Sequence, residues 1–133
     1  MILLDASALL AHLIGQPGGR AVTALLAHGG LGMATVNLAE TVDVLSRRVG
    51  RDRAHDALAP LVDGPVAHLI SLDEARAWRV GDLRARHYHR TRRPVSLADC
   101  SLIACAGPGD SIASLDAMLI AMARDEQIEV VEL

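Results

Sequence analysis

Short apolar runs alternate with longer amphipathic stretches along this chain. The runs fall at residues 2–4 (ILL), 31–34 (LGMA), 66–70 (VAHLI), 112–115 (IASL) and 128–131 (IEVV). Between them, apolar residues recur at helical spacing over 8–14, 18–28, 35–49, 52–62, 72–90, 97–106 and 117–125. Brief strands alternating with helices predict an α/β fold, a parallel sheet with helices on both faces. Gly29-Gly30, Gly64-Pro65 and Gly107-Pro108-Gly109 supply helix stops. Nothing in the pattern reads as a repeat, a low-complexity tract or a linker, so residues 1–133 are expected to form one domain.

Four acids interrupt the pattern. Asp5 ends the first apolar run, and Ser7 is placed to cap the following helix unaided, which leaves Asp5 either redundant or aimed elsewhere. In "ATVNLAETVDVLSRRVG" the main apolar stripe is Leu38, Val42, Leu45 and Val49, while Glu40 lies between Val36 and Val44 on a second row. An uncompensated charge buried there would be costly, although an edge position or an arginine partner would relieve it. Asp99 heads an apolar helix in "PVSLADCSLIACAG", where Ser96 and Asp99 have capping-box spacing. Asp116 follows the fourth apolar run and is placed to cap the last helix. Each acid alone has an ordinary explanation. A parallel sheet, however, brings strand ends and helix starts to one edge, where ligands collect. Four carboxylates gathered there raise one another's pKa and call for a compensating charge, which a hard divalent cation such as Mg²⁺ or Mn²⁺ supplies.

Composition narrows the field. At 133 residues and 51% hydrophobic, the chain has enough material for a buried core and is too apolar for disorder. No apolar run approaches the ~18 to 20 residues that span a bilayer, and the N-terminus lacks the basic start of a signal peptide. A cytoplasmic protein without membrane contact is therefore expected. Cys100 and Cys105 project about 140° apart around a helix axis, are expected to be free thiols, and lack the CxxC spacing of zinc sites.

The 13 basic side chains are all arginine. Without lysine, a P-loop, a receiver-type phosphoacceptor site and most haloacid-dehalogenase-like phosphatases are disfavoured, because each uses a lysine to hold phosphate. A net charge of −3 argues against broad coating of nucleic acid, yet seven arginines lie between Arg76 and Arg93 against one acid, Asp82. This stretch reads either as a solvated helix face and loop or as a phosphate-tracking rim. In the second reading Arg84, Arg86, Arg90, Arg92 and Arg93 bind RNA and Tyr88 stacks on a base. The six histidines are scattered and are expected at surface or supporting positions rather than in catalysis.

Read in order, "LLDASALL", "NLAETVDVL", "SLADCSLIACA" and "SIASLDAML" resemble the PIN-domain family, and most closely the VapC-like toxin ribonucleases of toxin–antitoxin (VapBC) pairs, over essentially the whole chain. Each motif is weak alone; their order and spacing carry the likeness. The resemblance implies a three-layer α/β/α sandwich with a central, mainly parallel five-stranded sheet. It implies that Asp5, Glu40, Asp99 and Asp116 form an acidic catalytic site, with Ser114 supporting the last acid and Ser7 supporting the site or only capping its helix. The expected activity is Mg²⁺-dependent endoribonuclease, with Mn²⁺ as an alternative ion. Asp5 and Asp99 would ligate the ion directly, and Glu40 and Asp116 would act through water or position a second ion. Toxins of this kind cut structured RNAs such as tRNA or rRNA. Expected partners are a VapB-like antitoxin that covers the N-terminal helices and sets a basic side chain near the acids, and a second toxin chain. The assembly would be a homodimer, and a heterotetramer or larger with antitoxin. Two departures from the family pattern, Asn37 where Ser or Thr is usual and "SLD" where "TAD"-like triplets are common, remove no acid. The same carboxylates would serve a metal-dependent nuclease or phosphoesterase without a toxin role, and a non-catalytic PIN-like scaffold would keep the sheet alone.

Overall fold

A computed structural model describes residues 1–133. Five strands, β1 (Ile2–Leu4), β2 (Gly32–Ala34), β3 (His68–Ile70), β4 (Ser111–Ala113) and β5 (Glu129–Val131), form one sheet in the order β3-β2-β1-β4-β5. Every pairing is parallel. Seven helices connect or follow the strands: α1 (Ala6–Leu13), α2 (Gly19–His28), α3 (Thr35–Val49), α4 (Arg51–Val62), α5 (Glu74–His87), α6 (Leu97–Cys105) and α7 (Ala117–Asp125).

Alternation of side chains along three-residue strands sorts the core into two halves. Leu3, Ala34 and Ile112 pack with Val80 and Leu83 of α5, Leu102 and Ile103 of α6, and Leu119 and Met122 of α7. On the other face Leu4, Met33 and Ala113 pack with Leu9 of α1, Val22 and Leu26 of α2, Leu45 of α3 and Leu58 of α4. The result is the α/β/α sandwich that the sequence predicts. Gly32 is required inside it, because a Cβ there would come within 2.6 Å of Leu3 Cδ2. No helix is long and apolar enough to cross a membrane.

Three local expectations are corrected. The start of α1 is capped by Asp5, whose side chain accepts from Ser7 N–H, so the Ser7 hydroxyl is released for other bonds. The fifth helix is shorter than 72–90: Asp73 caps its start by accepting from the Arg76 amide, and past His87 the chain turns into a bridge between His89 and Arg93. In α3 the fully buried residues are Asn37, Thr41 and Leu45, and Val49 is exposed. A polar row, midway between the two apolar rows read from the sequence, is what faces inward.

Candidate functional site

Asp5 is the hub. Its N–H extends the β1–β4 ladder by bonding the Ala113 carbonyl at 3.1 Å, and its side chain is then turned inward, leaving the residue 3% exposed. Oδ2 accepts three bonds, from Ser7 N–H (3.1 Å), Ser7 Oγ (2.5 Å) and Ser114 Oγ (3.0 Å). Oδ1 accepts one, from Asn37 Nδ2 at 3.1 Å. The donors outnumber what a neutral acid could accept, so this pocket is built for a carboxylate.

The two hydroxyls also fix the neighbouring turn. Ser7 Oγ accepts from Leu115 N–H at 3.1 Å and Ser114 Oγ from Asp116 N–H at 2.9 Å, which ties the β4–α7 connection to Asp5. Asp116 caps α7 through one oxygen, Oδ1, which accepts from the Met118 and Leu119 amides at 2.6 and 3.1 Å. Asp99 closes the expected capping box, its Oδ2 accepting from Ser96 N–H at 2.6 Å while Ser96 Oγ accepts from Asp99 N–H at 3.0 Å. Capping and site-building are thus compatible, because each cap uses only one of the two oxygens. Asp116 Oδ2, Asp99 Oδ1 and both Glu40 oxygens make no hydrogen bond within the chain.

All four acids line one cavity of about 140 Å³, together with Ser7, Leu10 and Val44. A larger hollow of about 470 Å³ lies around the α1–α2 turn and contains none of them. The electrostatics support the smaller one as the functional site. Burial, then the charges of Asp5, Asp99 and Asp116, hold the Glu40 carboxyl above its ordinary range, with a further push from Asp43. Burial likewise raises Asp99, against the hydrogen bonds from Ser96 that lower it, and Asp5 and Asp116 raise it further.

No three His, Cys, Asp or Glu side chains form a ready ligand cluster; the acids surround the cavity rather than meet at a point. Their donor chemistry nevertheless suits a hard divalent cation, since each presents an all-oxygen ligand with lone pairs unused by the protein. Asp5 is the most encumbered, with only Oδ1 retaining an unused lone pair.

Asn37 is the residue that sequence reading missed. It is wholly buried, holds Asp5 Oδ1, and leaves its own Oδ1 without a partner. Its helical row is anchored by Thr41 Oγ1, which donates to the Asn37 carbonyl at 2.8 Å. The available signal was Asn37 standing three residues before Glu40, one helical turn away.

The basic stretch divides in two. Arg84 donates to the Val95 carbonyl at 3.2 Å and stacks over Tyr88 with its guanidinium 4.3 Å from the ring centre. Arg86 pairs with Glu126 at 3.1 Å, and Arg93 pairs with Asp125 at 2.6 Å and bonds His87 Nδ1 at 2.9 Å. His87 Nε2 reaches Glu126 at 2.7 Å, completing a clamp between the end of α5 and the end of α7. Only Arg90 and Arg92 keep free guanidinium groups among the five arginines named from sequence. Cys100 and Cys105 are free and buried, and burial, with Asp99 nearby, pushes the Cys100 thiol up to about 11.

This sheet order and acidic edge agree with the comparisons to known proteins. The family profile of the PIN domain matches residues 2–133, and the chain belongs to that family. Its fold is similar to that of FitAcB from Neisseria gonorrhoeae (TM-score 0.72, 18% identity, covering 99% of this chain and 97% of the other). It is also similar to DNA-bound VapBC from Salmonella typhimurium (TM-score 0.70, 16% identity, 98% and 96% covered). A third similar structure is Mycobacterium tuberculosis VapC20, a toxin that cleaves the sarcin-ricin loop (TM-score 0.64, 18% identity, 96% and 85% covered). No curated protein matches the sequence.

Proposed function

We propose that this single PIN domain is a metal-dependent endoribonuclease and the toxin of a toxin–antitoxin pair. The observation that carries the chemistry is the convergence of Asp5, Glu40, Asp99 and Asp116 on one small cavity, two of them held above their ordinary pKa by burial and by the others. Mg²⁺ or Mn²⁺ would be held by Asp5 and Asp99, with Glu40 and Asp116 acting through water. When bound, such an ion neutralises the acids, polarises a phosphodiester oxygen and lowers the pKa of a coordinated water. Asp5, pinned by Ser7, Ser114 and Asn37, fixes the geometry. Glu40, free of hydrogen bonds and easily protonated, is suited to take a proton from the attacking water.

The role as toxin draws on the printed descriptions of proteins with the same fold, which include VapBC complexes and an RNA-cleaving toxin. The partner would be a VapB-like protein carrying a basic side chain that enters the acidic cavity, because an arginine fork satisfies clustered carboxylates and competes with the cation. Incubating the purified chain with structured RNA, DNA and a small phosphate ester, each with Mg²⁺ and with EDTA, tests the activity. Cleavage of RNA alone, abolished by EDTA, is expected. Cleavage of DNA or the ester points to a phosphoesterase of another kind, and no cleavage of any substrate points to a scaffold.

The two free arginines give a separable expectation for RNA binding. Arg90→Ala with Arg92→Ala should reduce the slope of log affinity against log salt by about 1.4 to 1.8, at roughly 0.7 to 0.9 per lost phosphate contact, with melting temperature unchanged. Arg93→Ala should instead lower the melting temperature, since it loosens the clamp to Asp125 and His87. An unchanged salt slope in the double variant would make the stretch a solvated surface.

A further inference from the structure

Helix α5 presents a face that the fold leaves uncovered. Glu74, Trp78, Gly81, Ala85 and Tyr88 follow one another at spacings of four, three, four and three, so they form a single stripe, and all five are exposed. Trp78 is the only tryptophan in the chain and is 73% exposed. Tyr88, the only tyrosine, is 44% exposed, and beside it Leu97 is 57% exposed.

Gly81 at the centre has no explanation within the chain. Glycine is among the poorest residues for a helix interior, the backbone here is ordinary helix, and a Cβ would meet nothing within 4 Å. What its missing side chain permits is a close approach from outside. Two hollows meet at this residue. One, of about 360 Å³, is bounded by Trp78 with Glu74 and Asp82; the other, of about 340 Å³, is bounded by Tyr88, Leu97 and Arg84.

From this we infer that α5 is a self-association surface, on which a second copy of this chain packs its own α5 antiparallel with the two-fold axis at Gly81. Two properties select a second copy as the occupant. In shape, the stripe carries bulky Trp78 on one side of Gly81 and the small Ala85 on the other, so an antiparallel copy sets each Trp78 over the hollow floored by the other chain's Ala85 and edged by its Leu97. In charge, one half of the stripe carries Glu74 and Asp82 and the other carries Arg84, so reversal brings unlike halves together. Asp82, the lone acid among the seven arginines of this region, belongs to that pattern. The inference deepens the homodimer expected from the family resemblance by assigning its face, and it rests on α5 rather than on the nuclease reading.

Sedimentation of the full chain over a concentration series, with tryptophan emission recorded in parallel, tests it. The wild type should form dimers, and because Trp78 is the sole tryptophan its emission should shift to shorter wavelength as they form. Trp78→Ala and Gly81→Glu should each weaken the dimer about thirtyfold or more, as expected for a buried aromatic anchor and a blocked axis. The open space at Gly81 means the second variant keeps its fold, checked by circular dichroism. Position is read by Gly81→Cys, which should oxidise to a covalent dimer because the residue meets its own copy, whereas Glu74→Cys at the end of the stripe should not. A monomeric wild type, a dimer indifferent to both substitutions, or cross-linking at Glu74→Cys would overturn the inference. RNA cleavage by a monomer would overturn this surface and leave the proposed activity intact.

Discussion

Asp99→Asn should leave a folded chain whose RNA cleavage falls at least about 100-fold, since the acid is asked to help supply several kcal/mol of charge stabilisation and each 1.4 kcal/mol is tenfold. The amide retains a carbonyl oxygen for Ser96 N–H, so the capping box survives. Stability should hold or rise. Burial raises the folded-state pKa of Asp99 above its unfolded value, so the native chain binds the proton more tightly. This group therefore favours folding most below the ordinary carboxylate range and progressively less as pH rises through the raised value. Removing its charge removes that decline. The same sign governs Glu40, so affinity for a divalent cation should weaken as pH falls through the raised values of both acids. Thermal melts of the variant at neutral pH, beside its cleavage rate, check the pairing. A clear loss of stability, or cleavage at the wild-type rate, would mean that Asp99 serves the helix and not the site.

Asp5→Ala should behave oppositely, losing activity and fold together. Truncation leaves the Ser7 and Ser114 hydroxyls, the Ser7 amide and the Asn37 side chain without their acceptor and also deletes the cap of α1. With about 1 to 3 kcal/mol for each buried group left unpaired and about 1 kcal/mol for a lost cap, a total near 3 to 5 kcal/mol is expected. That is on the order of 10 °C in melting temperature for a chain of this size. Asp5→Asn should be far milder in stability while equally inactive. The amide oxygen keeps the Ser7 and Ser114 bonds, and a flip of Asn37 would turn its unpartnered Oδ1 toward the new NH₂. Calorimetry of the two variants distinguishes a hub from an ordinary ligand: equal destabilisation by both would contradict the hub.

The strands were legible because each short apolar run lies where the sheet needs a buried segment, and the acids were legible because they break those runs at their ends. Less accessible were features fixed by contacts distant in sequence. Ser7 and Asp5 are both good caps, and only the 3.0 Å bond from Ser114, more than a hundred residues away, explains why Asp5 takes that role and Ser7 bonds the Leu115 amide. The inward face of α3 was misjudged because Asn37 and Thr41 are buried for bonding rather than for hydrophobicity, which periodicity does not register. The arginine cluster looked uniform, yet Glu126 and Asp125 on α7 withdraw two of its members and Val95 and Tyr88 a third.

The central claim, that the four acids form one cation site, is tested most directly by anomalous diffraction from crystals of the chain soaked in Mn²⁺. A peak enclosed by Asp5, Glu40, Asp99 and Asp116, lost in Asp99→Asn crystals, is the predicted result. A cavity without a peak, or Mn²⁺ bound only elsewhere on the surface, would contradict it.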